Sequence, residues 1–175
     1  MPRRLIPEKT EALLNKQMTY EANAAQFYLA LGSWADAQGF AGIANFLYQH
    51  VHEERNHMMK LVKFINQRGG HCKVEALAVP PDDPDSLHTL FEMVLDQEKR
   101  NSAAINNIVD ICLQEKDYPT FNFMQWYVKE QIEEEALATQ LLDKMKVIGE
   151  DKGNKGGLYD FDQDIAKMHG DADVA

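Results

Sequence analysis

Apolar residues recur at alternating steps of four and three along four long segments of this sequence. This spacing is typical of the buried stripe of a helix in a bundle. In the second segment the stripe is apolar at both ends and polar in the middle, running through Ile43, Leu47, His50, Glu54, His57, Leu61 and Phe64. Because a buried polar group needs a partner, the pattern predicts a helical bundle with a polar site inside it.

Glycine and proline mark where the predicted helices begin and end. Gly39 and the pair Gly69-Gly70 are C-cap signals, and Pro7 and Pro119 suit the first turn of a helix. The four predicted helices cover about 7–38, 41–67, 87–114 and 119–149. A flexible linker from Gly149 to Gly157 is expected next, followed by a short amphipathic helix over about 158–168 and a frayed tail from Gly170.

A long connection separates the second and third predicted helices. The segment from His71 to Ser86 contains Pro80, Pro81 and Pro84, which a helix interior does not accept. About 16 extended residues reach ~50 Å, whereas a helix of about 27 residues spans ~40 Å, so the segment can cross the whole bundle. The second and third helices are then parallel. The predicted fold is all-α, one domain over residues 1–175, with a four-helix bundle over about 7–149, one long crossover and a short fifth helix within about 150–170.

The charge balance restricts the classes of partner. The sequence has 28 Asp and Glu against 18 Lys and Arg, a net charge of -10, which disfavours nucleic acid and anionic membranes and favours cations. No apolar run follows Arg3 and Arg4, so we expect neither a secretory signal nor a transmembrane helix. Cys72 and Cys112 show neither metal-ligand nor disulfide spacing, which is typical of a reducing compartment, and the expected location is the cytoplasm.

Each of the four predicted helices carries a glutamate near the middle of its stripe, namely Glu21, Glu54, Glu98 and Glu134. Unpaired buried carboxylates are costly, and no lysine or arginine occupies the stripes, so cations from solution are the simplest partners. His57 lies three residues after Glu54, and Gln131 lies three before Glu134, so both face the same space. Carboxylates bridging two metals, with one or two nitrogen-bearing side chains, favour iron or manganese over structural zinc.

Several motifs resemble those of a known family. Glu54-x-x-His57, the single acids Glu21 and Glu98 and the long crossover resemble the ferritin-like di-iron bundles. Bacterioferritins and rubrerythrin-like proteins place a second Glu-x-x-His on the last bundle helix, where this chain has Gln131-x-x-Glu134, so we expect no haem. Over essentially its whole length the chain resembles non-haem ferritins of the bacterial type, with matching stretches at residues 52–57, 66–70 and 118–134.

The resemblance implies a set of iron ligands and an activity. One iron would be held by Glu21, Glu54 and His57, with Gln131 nearby, and a second by Glu54, Glu98 and Glu134. A third iron site matches Glu53, Glu130 and Glu133, and Tyr28 matches a tyrosine beside the centre. The implied activity is oxidation of Fe(II) to Fe(III) by O2 or H2O2, with ferric mineral stored inside a homo-oligomeric cage of twenty-four subunits.

Other interpretations remain at several positions and for the whole protein. Glu54 and His57 alone would suit a structural ion pair, and Tyr28 would suit a core aromatic residue. The third-site acids, such as Glu53, would suit a solvated helix face, and His50 is interpreted as a residue that packs beside the ligands or orients them. The alternative functions are a rubrerythrin-like di-iron oxidase or peroxidase without storage, and a metal buffer that binds without turnover.

Overall fold

The structure, a computed structural model, describes residues 4–149 and 155–168. Four long helices, α1 (Glu8–Ala37), α2 (Ala41–Gln67), α3 (Leu87–Gln114) and α4 (Tyr118–Ile148), precede a short helix, α5 (Lys155–Met168). The predicted bounds of the four long helices are confirmed to within one residue, and α5 begins three residues earlier than predicted. Most of the predicted linker, residues 150–154, and the tail from Gly170 lie outside the described residues.

Local sequence signals explain where the helices begin and end. The Ser86 side chain accepts a hydrogen bond from the Thr89 amide at 3.1 Å and so caps α3. Asp117 caps α4 in the same way, accepting from the Thr120 amide at 3.3 Å. Gly149 closes α4 with a φ of 68°, a left-handed conformation that glycine adopts without a steric penalty.

Two apolar clusters establish the directions in which the helices run. One joins the second half of α1 and the first half of α2 to the first half of α3 and the second half of α4, through residues such as Tyr28, Leu47, Phe91 and Leu141. The other joins the opposite halves, through residues such as Leu14, Leu61, Ile108 and Met124. The helices α2 and α3 are therefore parallel, as the long crossover predicts, and the polar stretch of each helix lies between the clusters.

The crossover between α2 and α3 follows the surface of α1. The Asn15 side-chain oxygen accepts a hydrogen bond from the Lys73 amide at 2.7 Å, and Asn23 accepts one from the Ala78 amide at 2.8 Å. The connection thus runs along the bundle from one end to the other. Across residues 4–149 and 155–168, no helix combines the length and apolar character that a membrane span requires.

The short helix α5 packs closely on the start of α2. Asp162 is buried, and its Oδ1 accepts a hydrogen bond from the Ile43 amide at 2.9 Å. The Asp162 side chain therefore satisfies a backbone donor that α2 itself cannot satisfy in its first turn. A Cβ atom added to Gly42 would lie 2.1 Å from the backbone oxygen of Asp162, so only glycine permits this approach.

Candidate metal centre

Three of the predicted ligands meet between the two apolar clusters. Glu21 from α1 is 0% exposed, and Glu54 and His57 from α2 are 2% and 5% exposed. The Nδ1 atom of His57 lies 3.3 Å from Glu54 Oε2 and 3.9 Å from Glu21 Oε2. Their ligand atoms are close enough together to hold one metal ion. The structure thus brings together the three residues predicted to hold the first iron, and we call them the first group.

Two oxygen atoms of the first group are buried with no hydrogen-bond donor except the neighbouring carboxyl. Among the described residues, no other side chain donates a hydrogen bond to Glu21 Oε2 or Glu54 Oε2, and the two carboxyls can share a proton only with each other. The contact of Glu54 Oε2 with His57 lacks hydrogen-bond geometry. An unsatisfied buried carboxylate oxygen costs more than an ordinary lost hydrogen bond. Oxygen and imidazole ligands of this kind suit Fe(II), so these residues fit a metal ion.

The acids on α3 and α4 are already hydrogen-bonded to other side chains. The Tyr28 hydroxyl donates to Glu98 Oε1, and the Gln131 side-chain nitrogen donates to Glu98 Oε2 at 3.0 Å. Glu134 Oε2 lies 3.4 Å from His50 Nε2. Glu98 and Glu134 both act electrostatically on Glu54. The acids predicted to hold the second iron thus share one polar interior, and Tyr28 has a polar contact there besides its packing.

His50 belongs to another candidate metal-binding group. Its ligand atom, together with those of Glu53 and Glu134, lies in a cluster small enough to hold an ion. His50 Nε2 is 3.8 Å from Glu53 Oε2. The group extends from the buried His50, whose side chain is 3% exposed, to Glu53, whose side chain is 42% exposed. We call it the His50 group. It connects the interior to the surface beside α2 and α4.

Burial controls the protonation of the carboxyls. Burial raises the pKa of Glu21 well above its ordinary range, and the adjacent Glu54 carboxylate raises it further. Burial also raises the pKa of Glu54 well above that range and the pKa of Glu98 to about 7. For His50, burial opposes the charged form, but Glu134 outweighs it and raises the pKa to about 9. A bound cation would replace protons at these acids.

The three acids predicted for the third iron site have different neighbours. Glu53 contacts His50, and Glu130 Oε1 lies 3.7 Å from His57 Nε2. Glu133 is mostly exposed and lies 3.8 Å from the Lys129 ammonium. The predicted set of Glu53, Glu130 and Glu133 stays a prediction, because these contacts do not define a common ion position.

Two buried amides near the centre were not predicted as functional residues. Gln17 and Asn101 are each 2% exposed. Gln17 lies one turn before Glu21 on α1, and Asn101 lies one turn after Glu98 on α3. Helical spacing places each amide on the face of its glutamate, which is the signal that could have found them. Spacing alone does not show which atoms the amides contact.

Known proteins resemble this chain over most of its length. A family model described as a ferritin-like domain matches residues 11–148. A probable bacterial non-heme ferritin-like protein of Haemophilus influenzae is 39% identical over 164 residues, which cover 94% of this chain and 98% of the relative. A bacterial non-heme ferritin of Campylobacter jejuni is 40% identical over 164 residues, covering 94% of this chain and 96% of the relative.

Solved structures agree with the sequence relatives. An open pore ferritin of the archaeon Archaeoglobus fulgidus superposes with a TM-score of 0.88 at 38% identity, covering 92% of this chain and 98% of that one. A humanized archaeal ferritin gives the same TM-score of 0.88 at 36% identity. The predicted four-helix fold with a short C-terminal helix is confirmed. The chain therefore belongs to the ferritin-like family, among relatives named bacterial non-heme ferritins.

Proposed function

We propose that this protein is an iron-storage subunit whose buried carboxylates form a di-iron ferroxidase centre. Residues 1–175 act as a single domain, and twenty-four copies enclose a cavity in which ferric mineral is deposited. The names of the relatives support iron storage. The observation that carries the ferroxidase assignment is the pair of buried carboxyls, Glu21 and Glu54, whose Oε2 atoms lie beside His57 with no hydrogen-bond donor from outside the pair.

Fe(II) is the substrate of the proposed reaction. One Fe(II) binds Glu21, Glu54 and His57, and a second binds between Glu54, Glu98 and Glu134. Each Fe(II) gives one electron, so a pair reduces O2 with two protons to H2O2, or H2O2 with two protons to two waters. Pairing the donors avoids release of one-electron oxygen products. The chain supplies the ligands and holds them close together in an interior from which bulk water is excluded.

The two iron positions differ in how readily they accept a cation. At the first position, Glu21 and Glu54 each offer an oxygen to which no described group outside the pair donates a hydrogen bond. At the second, both Glu98 oxygens already accept hydrogen bonds, from Tyr28 and Gln131. These donors already stabilise the Glu98 oxygens, although each oxygen keeps a lone pair for a metal ion, so the gain from binding a cation is smaller there. We therefore propose that the first position fills first.

We further propose that the His50 group, which comprises His50, Glu53 and Glu134, is a metal position with His50 as its nitrogen ligand. We expect His50→Ala to lower the number of Zn(II) ions bound per subunit by one and to leave binding at the first group intact. The measurement is an anaerobic Zn(II) titration by calorimetry. The matched control is His52→Ala, which removes an exposed imidazole from the same helix. Equal stoichiometry and affinity in His50→Ala and wild type would rule out this position.

Iron loading combined with a size measurement tests the storage proposal. Fe(II) added in air should give a large, discrete assembly that retains many ferric ions per subunit, measured by light scattering and iron assay. A small oligomer that oxidises Fe(II) but retains no mineral would indicate the rubrerythrin-like alternative. Binding of Fe(II) without accelerated oxidation would indicate a metal buffer.

A further inference from the structure

Three buried amide side chains link the two ends of the candidate metal centre. Gln17, Asn101 and Gln131 are 2%, 2% and 5% exposed. The Gln17 nitrogen donates to Glu21 Oε1 at 2.7 Å and to Asn101 Oδ1 at 2.6 Å. The Asn101 nitrogen contacts Gln131 Oε1 at 3.4 Å, and the Gln131 nitrogen donates to Glu98 Oε2 at 3.0 Å. The amides therefore form a continuous chain from Glu21 to Glu98.

The carboxylates at the two ends determine which way each amide points. With a cation bound, Glu21 and Glu98 are ionised and only accept hydrogen bonds, so Gln17 and Gln131 must each turn their NH2 group toward a glutamate. Gln17 uses its other hydrogen on the Asn101 oxygen. Asn101 is then left with its NH2 group for the Gln131 oxygen. Rotating Asn101 by 180° would set two donors against each other at Gln17 and two acceptors at Gln131.

The orientation of Gln131 gives it a definite role at Glu98. Its oxygen accepts from Asn101, while its nitrogen donates to the Glu98 side chain and also to the Glu98 backbone oxygen at 3.1 Å. In this arrangement Gln131 holds Glu98, and its side-chain oxygen faces Asn101. Partners that orient a metal ligand typically alter metal affinity by about 10-fold to 100-fold when they are removed.

We propose that Asn101 is a positioning residue that couples the two metal positions, through Gln17 on the Glu21 side and Gln131 on the Glu98 side. The inference rests on the proposed di-iron centre. If the hydrogen bond from Gln17 to the Asn101 oxygen is removed, the Asn101 amide is free to turn. Gln131 then no longer accepts a hydrogen bond from a fixed donor. Glu98 Oε2 then loses the fixed direction of its hydrogen bond with Gln131, while Tyr28 still holds Oε1. A change beside the first position thus weakens binding at the second, although Gln17 contacts no ligand of the second.

The test is an anaerobic Co(II) titration followed by visible absorption, because Co(II) bands report ligand geometry. The wild type should bind Co(II) at both positions. Each position should give one binding step in the Co(II) titration curve. The step that is missing in His57→Ala belongs to the first position, and the step that is missing in Glu98→Ala belongs to the second. The variants are Gln17→Leu, Asn101→Leu and the double variant. The matched control is Asn107→Leu, an exposed residue on the same helix as Asn101.

We expect Gln17→Leu and Asn101→Leu each to weaken the second Co(II) step about 10-fold and to change its absorption band. In the Asn101→Leu background, Gln17→Leu should have no further effect on that step, because the hydrogen bonds that connect Gln17 to Gln131 are already absent. Asn107→Leu should match the wild type. If the leucine variants do not fold, Gln17→Ala and Asn101→Ala remove the same hydrogen bonds without added bulk.

Two results would overturn the coupling while leaving the di-iron centre intact. In one, the wild type binds Co(II) at both positions but Gln17→Leu changes only the first step. In the other, Gln17→Leu weakens the second step equally whether or not Asn101 is present. A wild type that binds Co(II) at neither position would contradict the proposed centre itself, which is a separate outcome.

Discussion

Replacing either Glu54 or His57 with alanine will lower the initial rate of aerobic Fe(II) oxidation by at least about 100-fold. This exceeds the usual effect of losing a residue that merely orients a ligand, because each substitution removes a ligand. Glu54 is proposed to bridge both irons, and His57 supplies the one nitrogen of the first group, with Nδ1 3.3 Å from Glu54 Oε2. The measurement is stopped-flow absorption of ferric product at two Fe(II) per subunit.

The control for this prediction is Asn56→Ala, which alters an exposed neighbour of His57. It should oxidise Fe(II) at the wild-type rate. Size measurement of each variant shows whether the assembly is preserved. Wild-type oxidation rates in correctly assembled Glu54→Ala and His57→Ala would show that these residues do not hold the reacting iron.

The second large effect concerns stability without metal. We expect Glu54→Gln to raise the melting temperature of the metal-free protein at pH 7 by about 3 °C or more, although it abolishes rapid oxidation. Burial holds the pKa of Glu54 well above its ordinary range, so an ionised Glu54 is costly in the folded state. Glutamine has a similar shape and carries no charge, and its amide can donate a hydrogen bond to Glu21.

The pH dependence follows from the direction of these shifts. Burial raises the pKa of Glu98 from 4.5 to about 7, so between these values the folded protein binds more protons than the unfolded chain. Stability of the metal-free protein must therefore fall as pH rises through that range. Glu54→Gln should make this fall shallower. Differential scanning calorimetry from pH 5 to about 8 measures it.

With metal bound, the wild type should become more stable than Glu54→Gln, the reverse of their order without metal. At a free metal concentration about 100 times Kd, one bound ion stabilises the folded wild type by about 2.7 kcal/mol, whereas Glu54→Gln should gain far less. An exposed glutamate in the crossover, changed in Glu75→Gln, serves as the control and should alter neither measurement. If metal-free Glu54→Gln melts below the wild type, the carboxylate does not carry the cost assigned to it.

The cost of burying the Glu54 carboxyl in the metal-free protein illustrates why functional sites contain residues that a core built for stability would exclude. A bundle built for stability alone would place apolar residues at Glu21 and Glu54, as it does at Leu14 and Leu61. Retaining acids there lowers the stability of the metal-free protein and provides a site that binds cations. Folding stability and iron binding are therefore expected to respond in opposite directions to substitution at Glu54.

Much of the architecture could be predicted because it depends on spacing along each helix. Gly39, Gly69 and Pro119 located the helix ends, and the length of the crossover allowed α2 and α3 to be parallel, as they are. The positions of Glu21 and Glu54 inside the bundle followed from the same periodicity. Such features are local, so they need no knowledge of which helix faces which.

The partners of individual side chains could not be predicted in the same way. The sequence indicates a packing or orienting role for His50, yet in the structure it lies with Glu53 and Glu134 in the His50 group. Asn101 lies one turn after Glu98 on α3, but its contacts with Gln17 on α1 and Gln131 on α4 depend on how three helices pack. Periodicity places a residue on a face, and side-chain rotamers decide what it touches.

An iron anomalous difference map from a crystal soaked anaerobically in Fe(II) tests the central claim most directly. We predict two strong peaks per subunit between the apolar clusters, the first bound by Glu21, Glu54 and His57 and the second by Glu54, Glu98 and Glu134. Soaking for a shorter time should leave the first peak stronger than the second. Iron found only at surface acids such as Glu133, with no peak between the four helices, would contradict the di-iron centre.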